Sequence, residues 1–310
     1  MTEALRPMST GELLDRTFAL YRRNFLLFVG IATVGPAAYL VFQLLTIGSA
    51  VVPGVTPRRS AEALASLGAG FFVGILVMLA GMAISQAATV KAVAAVHLGR
   101  EITIGGAYKA LRGRVWRVLG VFALVMLISG LGALVSIGAA AALGSLAVVG
   151  GAQAGTAGTV VGVIVAIAVV VAGAILSITL YVRYALSIQA CVVEDLGPGT
   201  SLKRSAVLSK GARSRILTVY FIFGVISFIA SLALGGVMGG VGALLHNPIV
   251  ALILIYLASF VTGSLTGPLA TIGISLLYYD ERVRKEAFDL QLMMASLDAP
   301  APTLAAPAQI

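Results

Sequence analysis

Charge is what this chain has least of. Asp, Glu, Lys and Arg together make up 11% of its 310 residues, against about 25% in soluble globular proteins, and the mean hydropathy is +1.05. That composition excludes an ordinary water-soluble domain. The only cysteine, Cys191, excludes an internal disulfide and a cysteine-built metal cage; its apolar neighbours make it a packed thiol. The two histidines, His97 and His246, fall at opposite ends of apolar segments and cannot share a metal. No Gly-rich phosphate loop with its lysine, no H-E-x-x-H and no nucleophile elbow occurs. Carboxylates come as the adjacent pairs Glu194-Asp195 and Asp280-Glu281. Neighbouring positions diverge on a helix, so neither pair forms a general acid/base dyad; these acids should meet nearby basic groups. No catalytic residue, metal or cofactor is expected. A cleavable signal is not expected either, because a long charged region precedes a first apolar run that is itself long enough to span.

What is present is apolar sequence in long runs. Six of them reach the roughly 20 residues a bilayer requires, over about 24–47, 67–95, 118–143, 159–190, 217–245 and 249–279. The fold class is therefore an all-α polytopic membrane protein with six transmembrane helices, in one domain over 1–297, followed by a disordered Pro/Ala-rich tail at 298–310. Short helices are expected along the interface at about 9–22, 103–113, 200–211 and 280–297. Ser9-Thr10-Gly11-Glu12 fits a capping box for the first, with Leu14, Phe18 and Tyr21 on one stripe. Gly35-Pro36 should kink the first span, and a polar loop with Pro53, Pro57, Arg58 and Arg59 follows it. Thr103 caps the second short helix, whose stripe is Ile104, Ala107, Tyr108 and Leu111; Trp116 sits where an interfacial aromatic belongs. Gly144–Gly158 reads as an uncharged connector.

The stretch 181–216 carries the most information. An apolar helix bearing Arg183 runs on to Glu194-Asp195, and Leu196-Gly197-Pro198-Gly199 turns the chain. Thr200 or Ser201 then caps a polar helix, and Lys203, Arg204, Lys210, Arg213 and Arg215 lead into the fifth span. His246-Asn247-Pro248 forms a tight return, and Gly267-Pro268 should interrupt the sixth helix. Beyond it, Val283, Ala287, Leu290, Met294 and Leu297 form a stripe, while Asp280/Arg284 and Glu281/Lys285 stand at i,i+4 in the favourable order.

The net charge of +9 does not point to nucleic acid, because the bases gather at the ends of apolar runs. Nineteen of the twenty-one Lys and Arg residues fall on one side of the six spans, with Arg58 and Arg59 on the other. Under the positive-inside rule both termini are cytoplasmic. Three times the chain runs hydroxyl cap, short helix, basic cluster and two spans, from Ser9, Thr103 and Thr200. That suggests three parallel repeats, although one-sided charge placement alone generates a similar rhythm. The pairs Gly70/Gly74, Gly235/Gly239, Gly236/Gly240 and Gly263/Gly267 permit close helix contact, within the chain first and between copies second.

Three stretches, RPMSTGELLDRTFALYRRNF (6–25), VVEDLGPGTSLKRSAVLSKG (192–211) and LLYYDERVRKEAFDLQLM (276–293), frame most of the chain. Through them it resembles a bacterial family of six-span proteins labelled the membrane domain of glycerophosphodiester phosphodiesterase, together with relatives of unknown function. The resemblance implies the fold and a place in the bacterial cytoplasmic membrane. It implies an enzyme only where a phosphodiesterase domain is fused to the membrane part; no such domain is expected here, and no catalytic residue carries over.

Two functional readings follow. The first is a non-catalytic scaffold or subunit whose cytoplasmic face binds anionic lipid or a protein partner through Arg22, Arg23, Lys109, Arg112, Arg114, Lys203, Arg204, Lys210, Arg213 and Arg215. The second is a transporter or permease component for a small or lipidic solute, with Arg183 and Lys91 as the intramembrane polar groups and Arg183 facing an interrupted sixth helix. Long side chains near a span end can also snorkel to the interface.

Overall fold

The computed structural model describes residues 7–51 and 61–286. All regular structure among them is α-helical, in the order α1 (Thr10–Arg23), α2 (Phe25–Ala32), α3 (Val34–Val51), α4 (Ala61–His97), α5 (Ile104–Lys109), α6 (Val115–Tyr184), α7 (Ser187–Val193), α8 (Pro198–Leu208), α9 (Arg213–Leu244) and α10 (Pro248–Glu286). Six stretches are long and apolar enough to cross a membrane: Phe25–Thr46, Gly70–His97, Val115–Ser145, Thr156–Val193, Arg213–Leu244 and Pro248–Glu286. The chain is an integral membrane protein of the all-α, multi-pass class. The loop with Pro53, Pro57, Arg58 and Arg59, the stripe positions Ala287, Leu290, Met294 and Leu297, and the tail 298–310 lie outside the described residues.

Helical assignment continues through all 70 residues of α6, which as a straight rod would measure about 105 Å. Its halves nevertheless lie side by side. A Cβ on Gly132 would sit 2.9 Å from the Ser177 hydroxyl, and one on Gly173 would run into Ser136. The chain therefore doubles back between the third and fourth spans. α10 is the central rod: it packs on α9 along its length and also touches α1, α2, α3, α4 and α8.

The buried core is concentrated in the half of the bundle next to α1, α5 and α8. Leu13, Phe28, Ile31, Leu111, Val121, Leu186, Leu208, Ile216 and Leu276 meet there. Toward the other end the spans turn large aliphatic side chains outward, as at Leu134, Val161, Ile164, Ile175 and Leu232. In lipid that surface needs no protein partner, because acyl chains are as apolar as the side chains.

Two prolines were expected to break spans, and the structure treats them differently. The first break falls at Thr33, between α2 and α3, one turn ahead of Pro36. Pro36 has no N–H for the preceding turn, and side chains from other helices take its place. Ser85 donates to the Ile31 and Ala32 carbonyls (3.2 Å each), and Tyr108 donates to Ile31 (2.6 Å). Burial pushes the Tyr108 phenol up, which keeps it a donor. At Gly267-Pro268 the expected interruption is absent, for α10 runs unbroken through Pro268. Pro268 withholds its N–H from the Ser264 carbonyl, and the Tyr21 hydroxyl of α1 donates to the next carbonyl of that turn, Leu265 (2.6 Å).

The converse holds at the fourth span. Read as continuous to Val193, it stops at Tyr184 and restarts as α7 at Ser187, although no Gly or Pro stands there. Two serines, Ser205 of α8 and Ser209 at its C-cap, stabilise the break. Ser205 donates to the Arg183 carbonyl (3.0 Å) and accepts from the Leu186 N–H (3.1 Å), and Ser209 donates to the same carbonyl (3.0 Å). Both serines are fully buried. Ser205→Ala strands the Leu186 N–H in the core, which costs about 1–3 kcal/mol. Thermal unfolding in detergent should drop accordingly, whereas Ser214→Ala, on the exposed face of α9, should leave it unchanged.

The short helices differ in how they start. Ser9 caps α1 in a full capping box with Glu12, and Thr103 caps α5 by accepting from the Gly106 N–H. α8 has no hydroxyl cap at Thr200 or Ser201: it begins earlier, with Gly197 as N-cap and Pro198 at the first helical position, where a missing N–H costs nothing. Pro198 also lies where a Cβ on Gly120 would come within 3.1 Å of its ring, so the turn nests on α6. α5 ends at Lys109, short of the expected 113. Gly113 and Gly211, with φ of +82° and +85°, each stand two residues before a span. This left-handed turn is common to the second and third units; at the first, Asn24 has φ −121°.

Candidate functional site: the charged end of the bundle

At the end where α1, α5 and α8 lie, Glu194, Asp195, Asp280, Glu281 and Glu286 organise three ion clusters. Asp280 and Glu281, one turn and a half from the end of α10, are buried. Both accept from one nitrogen of Arg215 at the start of α9 (2.7 and 2.8 Å). Asp280 also binds Arg284 (2.8 Å) and the Met8 N–H (2.6 Å), and Glu281 binds Lys285 (3.2 Å). The Met8 carbonyl in turn accepts from Arg215 (3.0 Å) and Arg284 (2.6 Å). Lys285 closes the C-terminal end of α8 by donating to the Leu208 and Lys210 carbonyls (2.5 and 2.8 Å), where the helix dipole favours a cation. This cluster ties the two described ends of the chain to α8 and α9.

The second cluster joins α7, α8 and α10. Arg204 grips Glu194 (2.9 Å) and Glu286 (2.5 Å), Arg282 approaches both acids (3.5 and 3.2 Å), and the Tyr278 hydroxyl donates to Glu194. Hydrogen bonding to Glu286, then Glu194, holds the Arg204 guanidinium firmly in its charged form. In the third, Asp195 takes Arg114 and Arg117 (2.9 Å each), and Arg117 also reaches the Asp195 carbonyl (3.3 Å). Asp195 has φ +58°, a conformation Asp tolerates better than most residues. The adjacent acids Glu194 and Asp195 thus serve different clusters.

These contacts divide the sequence-derived surface set. Arg114, Arg204 and Arg215 are committed to internal ion pairs. Arg22, Arg23, Lys109, Arg112, Lys203, Lys210 and Arg213 are exposed and make no ion pair among the described residues. Composition counts both groups alike; only the positions of the acids separate them. The sequence reading also passed over Arg117, Tyr278, Arg282 and Glu286 as structural ligands. The i,i+4 spacing of Arg282 and Glu286 was the available signal.

The two intramembrane candidates do not form one site. Arg183 is exposed, with its guanidinium 5.5 Å from the Tyr184 ring, rather than facing Gly267-Pro268. It lies on a helix turn whose carbonyl, not its side chain, is used inside. Lys91 is half-buried at the charged end of α4, within electrostatic reach of Arg114 and Asp195. His97 stacks on Tyr279 at 5.2 Å, and His246 occupies the α9–α10 turn at the opposite end. Cys191 is buried in α7. Searches against protein-family models, curated proteins and solved structures return no match to this chain.

Proposed function

We propose that the protein is a non-catalytic subunit of the bacterial cytoplasmic membrane whose charged end faces the cytoplasm and engages anionic lipid. The observation that carries this reading is the set of cations left over after internal pairing. Of the ten basic residues that the sequence assigns to this surface, seven, spread over α1, α5 and the α8–α9 region, are exposed and have no acidic partner among the described residues. Each basic group near an anionic membrane surface contributes about 1 kcal/mol. The family resemblance and the one-sided charge support the orientation. Acids tied to arginines support a structural rather than an acid/base role for the two carboxylate pairs. The transporter reading drew on a broken sixth helix facing Arg183; a continuous α10 and an outward Arg183 weigh against it.

The test is lipid selectivity. Detergent-solubilised protein is titrated with phosphatidylglycerol and with phosphatidylcholine, and bound lipid is counted by native mass spectrometry. Wild type should prefer the anionic lipid, and the K203E/K210E/R213E variant should bind it about a hundredfold more weakly. Equal binding of the two lipids by wild type would remove the proposal. Arg204 and Arg215 are left intact because their loss would disturb the fold.

A further inference from the structure

Between α1 and the end of α4 lies an open cleft of about 990 Å³, at the upper end of the range for small-molecule sites. Arg16 and Arg23, two helical turns apart and so on one face of α1, form one wall with Leu20 between them and Asn24 next to Arg23. The opposite wall is the last turn of α4 and the link that follows. There Gly99, with φ +72°, ends the helix: its N–H bonds the Val96 carbonyl, and the Arg100 N–H reaches back to Ala95 at 2.9 Å. This Schellman-type turn sets Arg100 on the cleft that the two arginines of α1 also line.

α5, which brings Gly106 to the lining, is held against α2 at two points. Ile104 of α5 rests where a Cβ on Gly30 would come within 2.5 Å of it, and Tyr108 is bonded to Ile31. Three guanidiniums and one carboxylate, Glu101, line the space, leaving a net positive charge. Asn24, which has a second amide N–H beyond the one given to Leu20, adds a neutral donor. The apolar part of the lining includes Leu27, Val96 and Ile102. Just outside it, Phe25 and Leu26 are exposed at the first turn of a membrane span.

We infer that this cleft is a binding site for a phosphate-ester anion, its phosphate held by Arg23 and Arg100 with Arg16 behind, and its carbon portion lying on Leu27, Val96 and Ile102. Arginine forks match phosphate oxygens in pairs, and two of the apolar lining residues, Leu27 and Val96, belong to membrane spans. The inference rests on the reading of this end as lipid-facing, and names the headgroup chemistry and the place. A phospholipid headgroup or a soluble glycerol phosphate could present the same group, so the experiment includes both.

Protein in phosphatidylcholine nanodiscs is titrated with dihexanoyl-phosphatidylglycerol and, separately, with glycerol 3-phosphate, by calorimetry. The variants are R100A, which removes one guanidinium, and A19W, which narrows the mouth from an exposed position of α1 while keeping every charge. Loss of one charge-assisted contact should weaken binding about tenfold or more, and A19W should do the same. Lipid binding that both variants weaken supports a lipid headgroup site. Glycerol phosphate binding that both weaken supports the same site with a soluble occupant. No saturable binding of either ligand, or wild-type affinity in both variants, overturns it. K203E/K210E/R213E should retain the cleft ligand, which separates failure of this site from failure of the general lipid preference.

Discussion

Arg215→Met is expected to destabilise the protein by about 3 kcal/mol, the low end for breaking a buried ion pair. Asp280 and Glu281 have almost no exposed side-chain surface (0% and 4%), and Arg215 supplies the nitrogen that both share. Without it two desolvated carboxylates stand side by side, and their repulsion adds to the lost attraction. The estimate stays low because Arg284 still faces Asp280 and Lys285 still faces Glu281. The measurement is thermal unfolding in detergent by circular dichroism. The R215M/D280N/E281Q combination should recover part of the loss, since the two buried carboxylates no longer repel each other, while Arg284 and Lys285 keep only their carbonyl acceptors. Wild-type melting of R215M would mean that the cluster is open to water and contributes little.

Gly273→Leu should cost about 1–3 kcal/mol through overpacking. Even a bare Cβ there would stand 2.8 Å from the Phe223 ring and 3.0 Å from Val219. Both neighbours are fully buried on α9, and α9 cannot shift freely because Arg215 is pinned to α10 less than three turns away. Gly224→Leu is the control: its Cβ would meet nothing within 4 Å, so it should be neutral or slightly stabilising through helix propensity. G273L/F223A should melt above G273L alone if the ring is the obstacle. Equal melting of G273L and wild type would show that the α9–α10 interface accommodates the added side chain.

The glycine pairs read from the sequence show how far a motif reaches. Gly263 does face Pro36, at 3.2 Å for an added Cβ, and Gly74 lies under Phe42. Yet Gly235, Gly236, Gly240 and Gly267 face open space, while the tightest approaches are at unpaired glycines such as Gly81, Gly242 and Gly273. A four-residue spacing places two small residues on one helix face. It does not say that another helix passes over that face. The hydroxyl caps show the same limit: Ser9 and Thr103 behave as their local sequence indicates, but at α8 the turn packed on Gly120 starts the helix earlier, at Pro198.

What the sequence by itself determined is everything that depends on sums over neighbouring residues: six spans, an all-helical membrane fold, charge at one end and the start of α1. Hydropathy and length are additive along the chain, so they survive without knowledge of what packs where. Only the tertiary structure decided that α10 passes through Pro268 unbroken, that α7 separates from α6 without a proline, and which cations are paired and which have no ion-pair partner among the described residues. Each of those places holds a partner from elsewhere in the chain: Tyr21 lies 244 residues from Leu265, Ser205 lies 22 from Arg183, and Arg215 lies 65 from Asp280. In a medium without water to fill an empty hydrogen bond, a helix breaks or continues according to whether such a partner arrives.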